Sequence, residues 1–334
     1  MNPESWKKLP QYGIYFLEGS IMSIGNFILA LCVFYHRALR SQKQYLVISF
    51  MFLADALNGT AQLFASVYRT GLLFLGTHDV VVTRWDCMTK LHSFLWSFSE
   101  PCAALMLAVI SFDRLVLVTD PAGYINKRAK IYIAIATPYL WSLGSVSTAI
   151  VLAYLSPREP TVEQYCLLSF GHGKNYWLYH GFLSVFGAAL SIILFALVLL
   201  LNRKRKTQVT TGQNKTSSTA RQILKRQRKI TASLALSSLF TFLFFLIPRA
   251  VGTVLYYSSM ERALAASLMM IMYWIVGNIN PILNLFIFTI RHREVRKGVK
   301  AMFRLKQMPA DLNLWFATSS AMALAKKSTG AKGS

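Results

Sequence analysis

Seven stretches of this chain are long and apolar enough to cross a lipid bilayer as helices, and that feature leaves little freedom for the rest of the fold. A helix rises about 1.5 Å per residue, so roughly 30 Å of hydrocarbon takes about 20 mostly apolar residues in succession. Such stretches run approximately over 13–35, 45–68, 91–119, 131–155, 176–201, 230–257 and 264–290. The expected fold class is therefore an all-α membrane protein, a seven-transmembrane helix bundle. The composition of the 334 residues agrees: 54% are apolar and 15% charged, against about 25% charged in a soluble domain, which argues against a soluble enzyme.

The net charge of +23 suits a nucleic-acid binder, a protein bound at a membrane surface or a sorted membrane protein, and its distribution decides among them. Cytoplasmic connections retain Lys and Arg during insertion. The segments 36–44, 120–130, 202–229 and 291–334 hold 26 of the basic residues, whereas 1–12, 69–90, 156–175 and 258–263 hold 8. The chain is expected to place its N-terminus outside and its C-terminus in the cytosol, as a multi-pass protein of the plasma membrane in contact with the lipid bilayer. A nucleic-acid partner is not expected, because the charge follows membrane connections rather than one soluble face.

The expected organisation is an extracellular N-terminus over 1–12, the bundle over 13–290, a short amphipathic eighth helix over 291–307 and a cytoplasmic tail over 308–334. The eighth helix is read from Val295, Val299, Met302 and Phe303, which recur at helical spacing among Arg293, Arg296, Lys297, Lys300 and Arg304, a pattern suited to the inner interface. Residues 202–229 form a polar, low-complexity loop between basic clusters. Four cysteines, Cys32, Cys87, Cys102 and Cys166, show no metal-ligand spacing, so no metal site or cofactor is expected. The sequons at Asn58 and Asn214 fall in a span and on the inner side, so neither is expected to carry a glycan.

Several short motifs stand in spans in a fixed order: Gly25-Asn26 in the first, Leu53-Ala54-Asp55 in the second, Asp113-Arg114-Leu115 at the inner end of the third, Trp141 in the fourth, Pro248 in the sixth and Asn280-Pro281-Ile282-Leu283-Asn284 in the seventh. Together they resemble the rhodopsin-like (class A) G-protein-coupled receptors over about residues 13–305. The drift within the motifs is similar to that of nematode serpentine chemoreceptors. Leu246 stands where many relatives carry a ligand-sensing tryptophan, and Asn284 replaces a tyrosine. Ala103 replaces the serine of sodium-binding relatives.

The resemblance implies that Asp113, Arg114, Asn280, Pro281 and Asn284 belong to the activation switch and to the surface for a heterotrimeric G protein. It also implies a polar core in which Asn26, Asp55 and Asn280 exchange hydrogen bonds, read either as a switch or as static helix glue. It further implies a disulfide between Cys87 and Cys166. The implied function is a chemoreceptor for a small external molecule.

Charge buried in lipid is costly, so Glu18, Glu100 and Arg249 call for partners or a purpose. Glu100 is nine residues from the outer end of its span and Arg249 eight, which places both on the order of 12–14 Å deep. They are expected to pair across a pocket floor, with Trp96, Tyr256, Met270, Tyr273 and Trp274 lining an aromatic cavity for the ligand; the alternative is a pair that only locks helices. His92, Trp177 and His180 are expected as interfacial belt residues. A retinal-binding lysine is absent from 264–290, and no nucleophile stands beside a base, so catalysis is not expected. A transporter or channel subunit is the alternative class, although spans one to three and five to seven share no repeated motif.

Overall fold

The computed structural model describes residues 6–120, 128–211, 231–257 and 271–304. Seven long helices follow one another: α1 (Leu9–Tyr35), α2 (Lys43–Leu75), α3 (Leu91–Thr119), α4 (Arg128–Leu155), α5 (Lys174–Thr211), α6 (231–257) and α7 (271–291). The short α8 (Arg293–Phe303) closes the described chain. Among the described residues, α1 to α6 are long and apolar enough to cross a membrane; the expected seventh stretch begins before the first described residue of α7. The fold is an all-α, seven-helix membrane bundle. Leu17, Ile24, Leu140, Leu155, Phe182 and Val254 lie on its exterior with their side chains exposed, an arrangement that suits lipid rather than water.

Most helix ends fall close to the apolar boundaries, and α3 runs over the expected residues. The largest differences are at α5, which runs ten residues past its expected end at 201 to Thr211 and so takes in the start of the expected 202–229 loop, and at α2, which continues seven residues past the expected end at Tyr68 to Leu75, where Gly76 terminates it in the left-handed conformation (φ 69°). Arg69, counted as a loop charge, is instead a buried residue of this extra turn. Glu100 and Pro101 do not interrupt α3. In α6, by contrast, Pro248 is preceded by a π-helical turn over Phe242–Leu246. A proline lacks the N–H and crowds the carbonyl four residues back, and a widened turn relieves both.

α1 and α2 pack closely against each other, and glycine is the reason. A Cβ at Gly59 would lie 2.5 Å from the Ser23 nitrogen and 2.6 Å from the Met22 Cβ, and one at Gly19 would lie 2.7 Å from the Leu63 nitrogen. Small residues that let backbones approach are the usual means of packing helices where apolar surface gains nothing by leaving lipid. α8 folds back on α1: Val295 and Gly298 are buried, the His36 ring Nε2 lies 2.8 Å from the Gly298 carbonyl, and a Cβ at Gly298 would lie 2.7 Å from Cys32 Sγ.

The end of the bundle opposite Arg114 is closed by the loops before α3 and α5. Cys87 and Cys166 are disulfide-bonded, and Val81–Val82 pairs antiparallel with Val162–Glu163, a ribbon too short for sequence periodicity to reveal. Cys87 sits on a separate short helix, Arg84–Met88, started by a Thr83–Asp86 capping box. The Thr83 hydroxyl and backbone N–H both donate to the Asp86 carboxyl and hold it below its ordinary pKa. The chain then breaks before α3 at Lys90, an extended N-cap.

Replacing Gly59 by leucine should force α1 from α2 and lower the thermal stability of the detergent-purified protein by about 1–3 kcal/mol or more, the usual cost of overpacking. Gly71→Ala, where a Cβ meets nothing within 4 Å, should leave the unfolding temperature unchanged or raise it. Equal behaviour of the two variants would contradict the packing described.

Candidate functional site

The buried ionisable groups lie at three depths along the bundle. Nearest the middle, Glu100 of α3 and Arg249 of α6 form an ion pair, Nη1 to Oε1 2.8 Å, with each side chain only 1% exposed. The sequence led to the expectation that these two meet, and the structure brings them together. α5 supplies two further groups: the His180 Nε2 is 3.6 Å from the same Glu100 oxygen, and the Ser184 hydroxyl donates to it at 3.3 Å. Arg249 also lies over the Phe245 ring, 5.1 Å from its centre. The approach of α5 depends on Gly187, whose Cβ position is 3.0 Å from the Ala104 backbone of α3.

His92, Trp177 and His180 do not form an interfacial belt. All three are buried inside the bundle, because the face of each helix that carries them is turned to its neighbours. Trp177 stacks on His180 with ring centres 6.0 Å apart. His172, in the loop before α5, meets the Ser97 hydroxyl through Nε2 at 2.7 Å. Burial, aided by His180 and opposed by Glu100, holds the His172 imidazole well below its ordinary pKa, so it stays neutral at physiological pH.

Of the expected aromatic lining, Trp96 is buried in a cluster with Tyr12, Tyr15 and Trp177, on the side of α3 that faces α1 and α2. Tyr256, Tyr273 and Trp274 belong to α6 and α7, but their side chains, and Met270 altogether, lie outside the described residues.

Beneath Glu100 is a cavity of about 10 Å³, roughly one water molecule in size, bordered also by Asp55, Asn58, Asn280 and Asn284. Here the expected hydrogen bonds among Asn26, Asp55 and Asn280 are not formed. Asn26 donates to the Met22 carbonyl within its own helix at 2.9 Å, and Asn280 accepts from Thr241 at 3.2 Å. Asn26 and Asn280 thus each bond a residue outside the trio, and Asp55 faces the cavity. The Ser237 hydroxyl donates to Asn284 at 2.6 Å, so α6 and α7 are joined by two side-chain bonds. A second chain, Asn278 to Gln62 at 3.0 Å and Gln62 to Glu18 at 2.9 Å, ties α7 to α2 and α1.

At the far end of α3, Arg114 is held by the adjacent Asp113, with Nη2 to Oδ2 2.5 Å and Nε to Oδ2 3.1 Å. Its Nη1 donates to Gln44 of α2 at 3.4 Å, a contact that the sequence motif did not signal.

At the disulfide end, Arg69 of α2 donates through Nε to the Tyr165 carbonyl at 2.9 Å and through Nη2 to the Cys166 carbonyl at 3.2 Å. His78 stacks on the Tyr165 ring at 4.7 Å and bridges Asp79 and Tyr12, at 2.8 and 2.7 Å. Burial keeps its imidazole below the ordinary value, although Asp79 opposes this. Arg69, His180 and Ser184 were not singled out as site residues in the sequence; for Arg69 the available signal was a cation one turn beyond an apolar run that still reads as helix.

The rhodopsin-family model of the seven-transmembrane receptors matches residues 25–288. The chain is 24% identical to mouse trace amine-associated receptor 9 over 323 residues, 92% of this chain and 88% of that one. It is 21% identical to human olfactory receptor 13A1 over 254 residues, 72% of this chain and 70% of that one. It is also 26% identical to the 5-hydroxytryptamine receptor 1A of Xenopus laevis over 205 residues, 58% and 46% of the two chains. With the family model covering most of its length, on a bundle of which six helices carry the motifs in order, this chain belongs to the rhodopsin family of seven-transmembrane receptors.

Proposed function

We propose that the chain is a plasma-membrane chemoreceptor, with its N-terminus and the disulfide end outside, that detects a small external molecule and activates a heterotrimeric G protein in the cytosol. The observation that carries this reading is the occluded Glu100–Arg249 pair, which joins α3 to α6 on the same α3 that ends in the Asp113–Arg114 pair. Leaving one member of a buried pair without its partner costs about 3–5 kcal/mol. A ligand group that competes for either member therefore has enough leverage to shift a two-state bundle. α6 is the element free to respond, with its widened turn and proline beside Arg249, and α7 follows it through Thr241–Asn280 and Ser237–Asn284. The switch residues are Asp113, Arg114, Asn280, Pro281 and Asn284, and α8 lies along the inner face of the membrane with its basic residues toward lipid headgroups.

Ligand-dependent G-protein activation, assayed in a heterologous cell against a panel of small organic molecules, should fall at least tenfold in Arg114→Ala at equal surface expression. A signal that persists without any G protein would favour a transporter or channel subunit instead. In a double-mutant cycle, Glu100→Gln and Arg249→Gln should each destabilise the purified protein more than the double substitution does, because the singles leave one charge buried alone. Strictly additive costs would remove the pair from the mechanism.

A further inference from the structure

Arg69 is the buried charge that the scheme above leaves unused. Its side chain is among the largest fully buried ones in the described structure, 1% exposed. Yet among the described residues its polar partners are two backbone carbonyls, of Tyr165 and Cys166, and no carboxylate forms an ion pair with it. The acids of that end are committed elsewhere: Asp79 to His78, Asp86 to Thr83, with Glu163 on the exposed side of the ribbon. Two further cations add to the positive potential, Lys8 over the Tyr165 ring at 4.5 Å and Lys90 over the Tyr68 ring at 5.6 Å.

From this juxtaposition of an unneutralised guanidinium, the Trp96 ring 5.5 Å from its central carbon, and a disulfide-tied loop resting on it, we propose that Arg69 anchors the carboxylate of an organic acid ligand. A guanidinium fork matches a planar carboxylate in two parallel hydrogen bonds, and one negative charge balances the single positive one. The Trp96 face and the apolar cluster of Tyr15, Leu73 and Trp177 beside it suit an aromatic or aliphatic body. Arg249 is already neutralised by Glu100, so an anionic group gains more at Arg69. Because Nε and Nη2 now hold the loop carbonyls, binding the acid exchanges those bonds for the carboxylate and loosens the loop from α2. Cys166, held in the left-handed backbone region at φ 50°, is the residue that would relax.

This deepens the receptor reading and rests on it only for access from outside. The test uses the full-length protein in nanodiscs without G protein, with benzoate, phenylacetate and octanoate each compared with its primary amide. At least one acid should raise the unfolding temperature saturably, by about 2 °C or more, and its amide should not. Arg69→Gln should abolish the shift, and Arg69→Lys should weaken binding at least tenfold.

Should the Arg69 variants fail to fold, a diazirine-bearing benzoate on the wild-type protein should label peptides containing residue 15, 96 or 165, and the unlabelled acid should compete. Labelling confined to other helices, equal shifts from acid and amide, or no acid binding at all would overturn the proposal. G-protein activation by a neutral compound in the same protein would still leave the receptor reading standing.

Discussion

Lipid offers no hydrogen bonds, and that constraint orders the whole interior of this bundle. Polar side chains of the spans either return a hydrogen bond to their own helix, as Thr137, Ser147 and Thr148 do, or turn inward, where the charged and amide side chains form a ladder along the bundle axis. From the disulfide end the rungs are Arg69 under the loop carbonyls, Glu18 with Gln62 and Asn278, and Glu100 with Arg249, His180 and Ser184. The water-sized cavity beside Asp55, the pair of bonds from α6 to α7, and finally Arg114 with Asp113 and Gln44 complete it. Between the rungs the packing is set by small residues, glycine above all, at the α1–α2 and α3–α5 contacts.

α3 carries the two rungs that are ion pairs of buried side chains, at Glu100 and at Arg114. Glu100 and Arg114 lie 14 residues apart on it, roughly 21 Å at about 1.5 Å per residue, so an event at one can reach the other along a single rigid element or by way of α6. The departures from the family motifs take on meaning here. Leu246 replaces the tryptophan that many relatives use to sense ligand, and the charged residue three positions later, Arg249, is paired with α3.

The extent to which the sequence disclosed this arrangement varied with the kind of signal. Helix existence and approximate ends were legible because twenty apolar residues in a row have few alternatives. The Glu100–Arg249 pair was legible because depth along a helix is simple arithmetic, and two opposite charges at one depth have strong reason to meet. What was not legible is the rotation of each helix about its axis. Spans apolar on every side carry little phase information, so His92, Trp177 and His180 read as belt residues although they face inward. The same ambiguity allowed Asn26, Asp55 and Asn280 to be read as one hydrogen-bonded trio, whereas Asn280 turns to α6. Arg69 was misplaced for a different reason: a charge normally ends a spanning run, and here the helix continues because the loop folds over it and supplies two carbonyls.

Signalling by this bundle requires one orientation in the membrane, with Arg114 and α8 in the cytosol and the disulfide-tied loop outside. Epitope tags at the two termini, stained in intact and then in permeabilised cells, read that orientation directly. The N-terminal tag should be visible on intact cells and the C-terminal tag only after permeabilisation. A C-terminal tag stained on intact cells, or both tags on one side, would contradict the account.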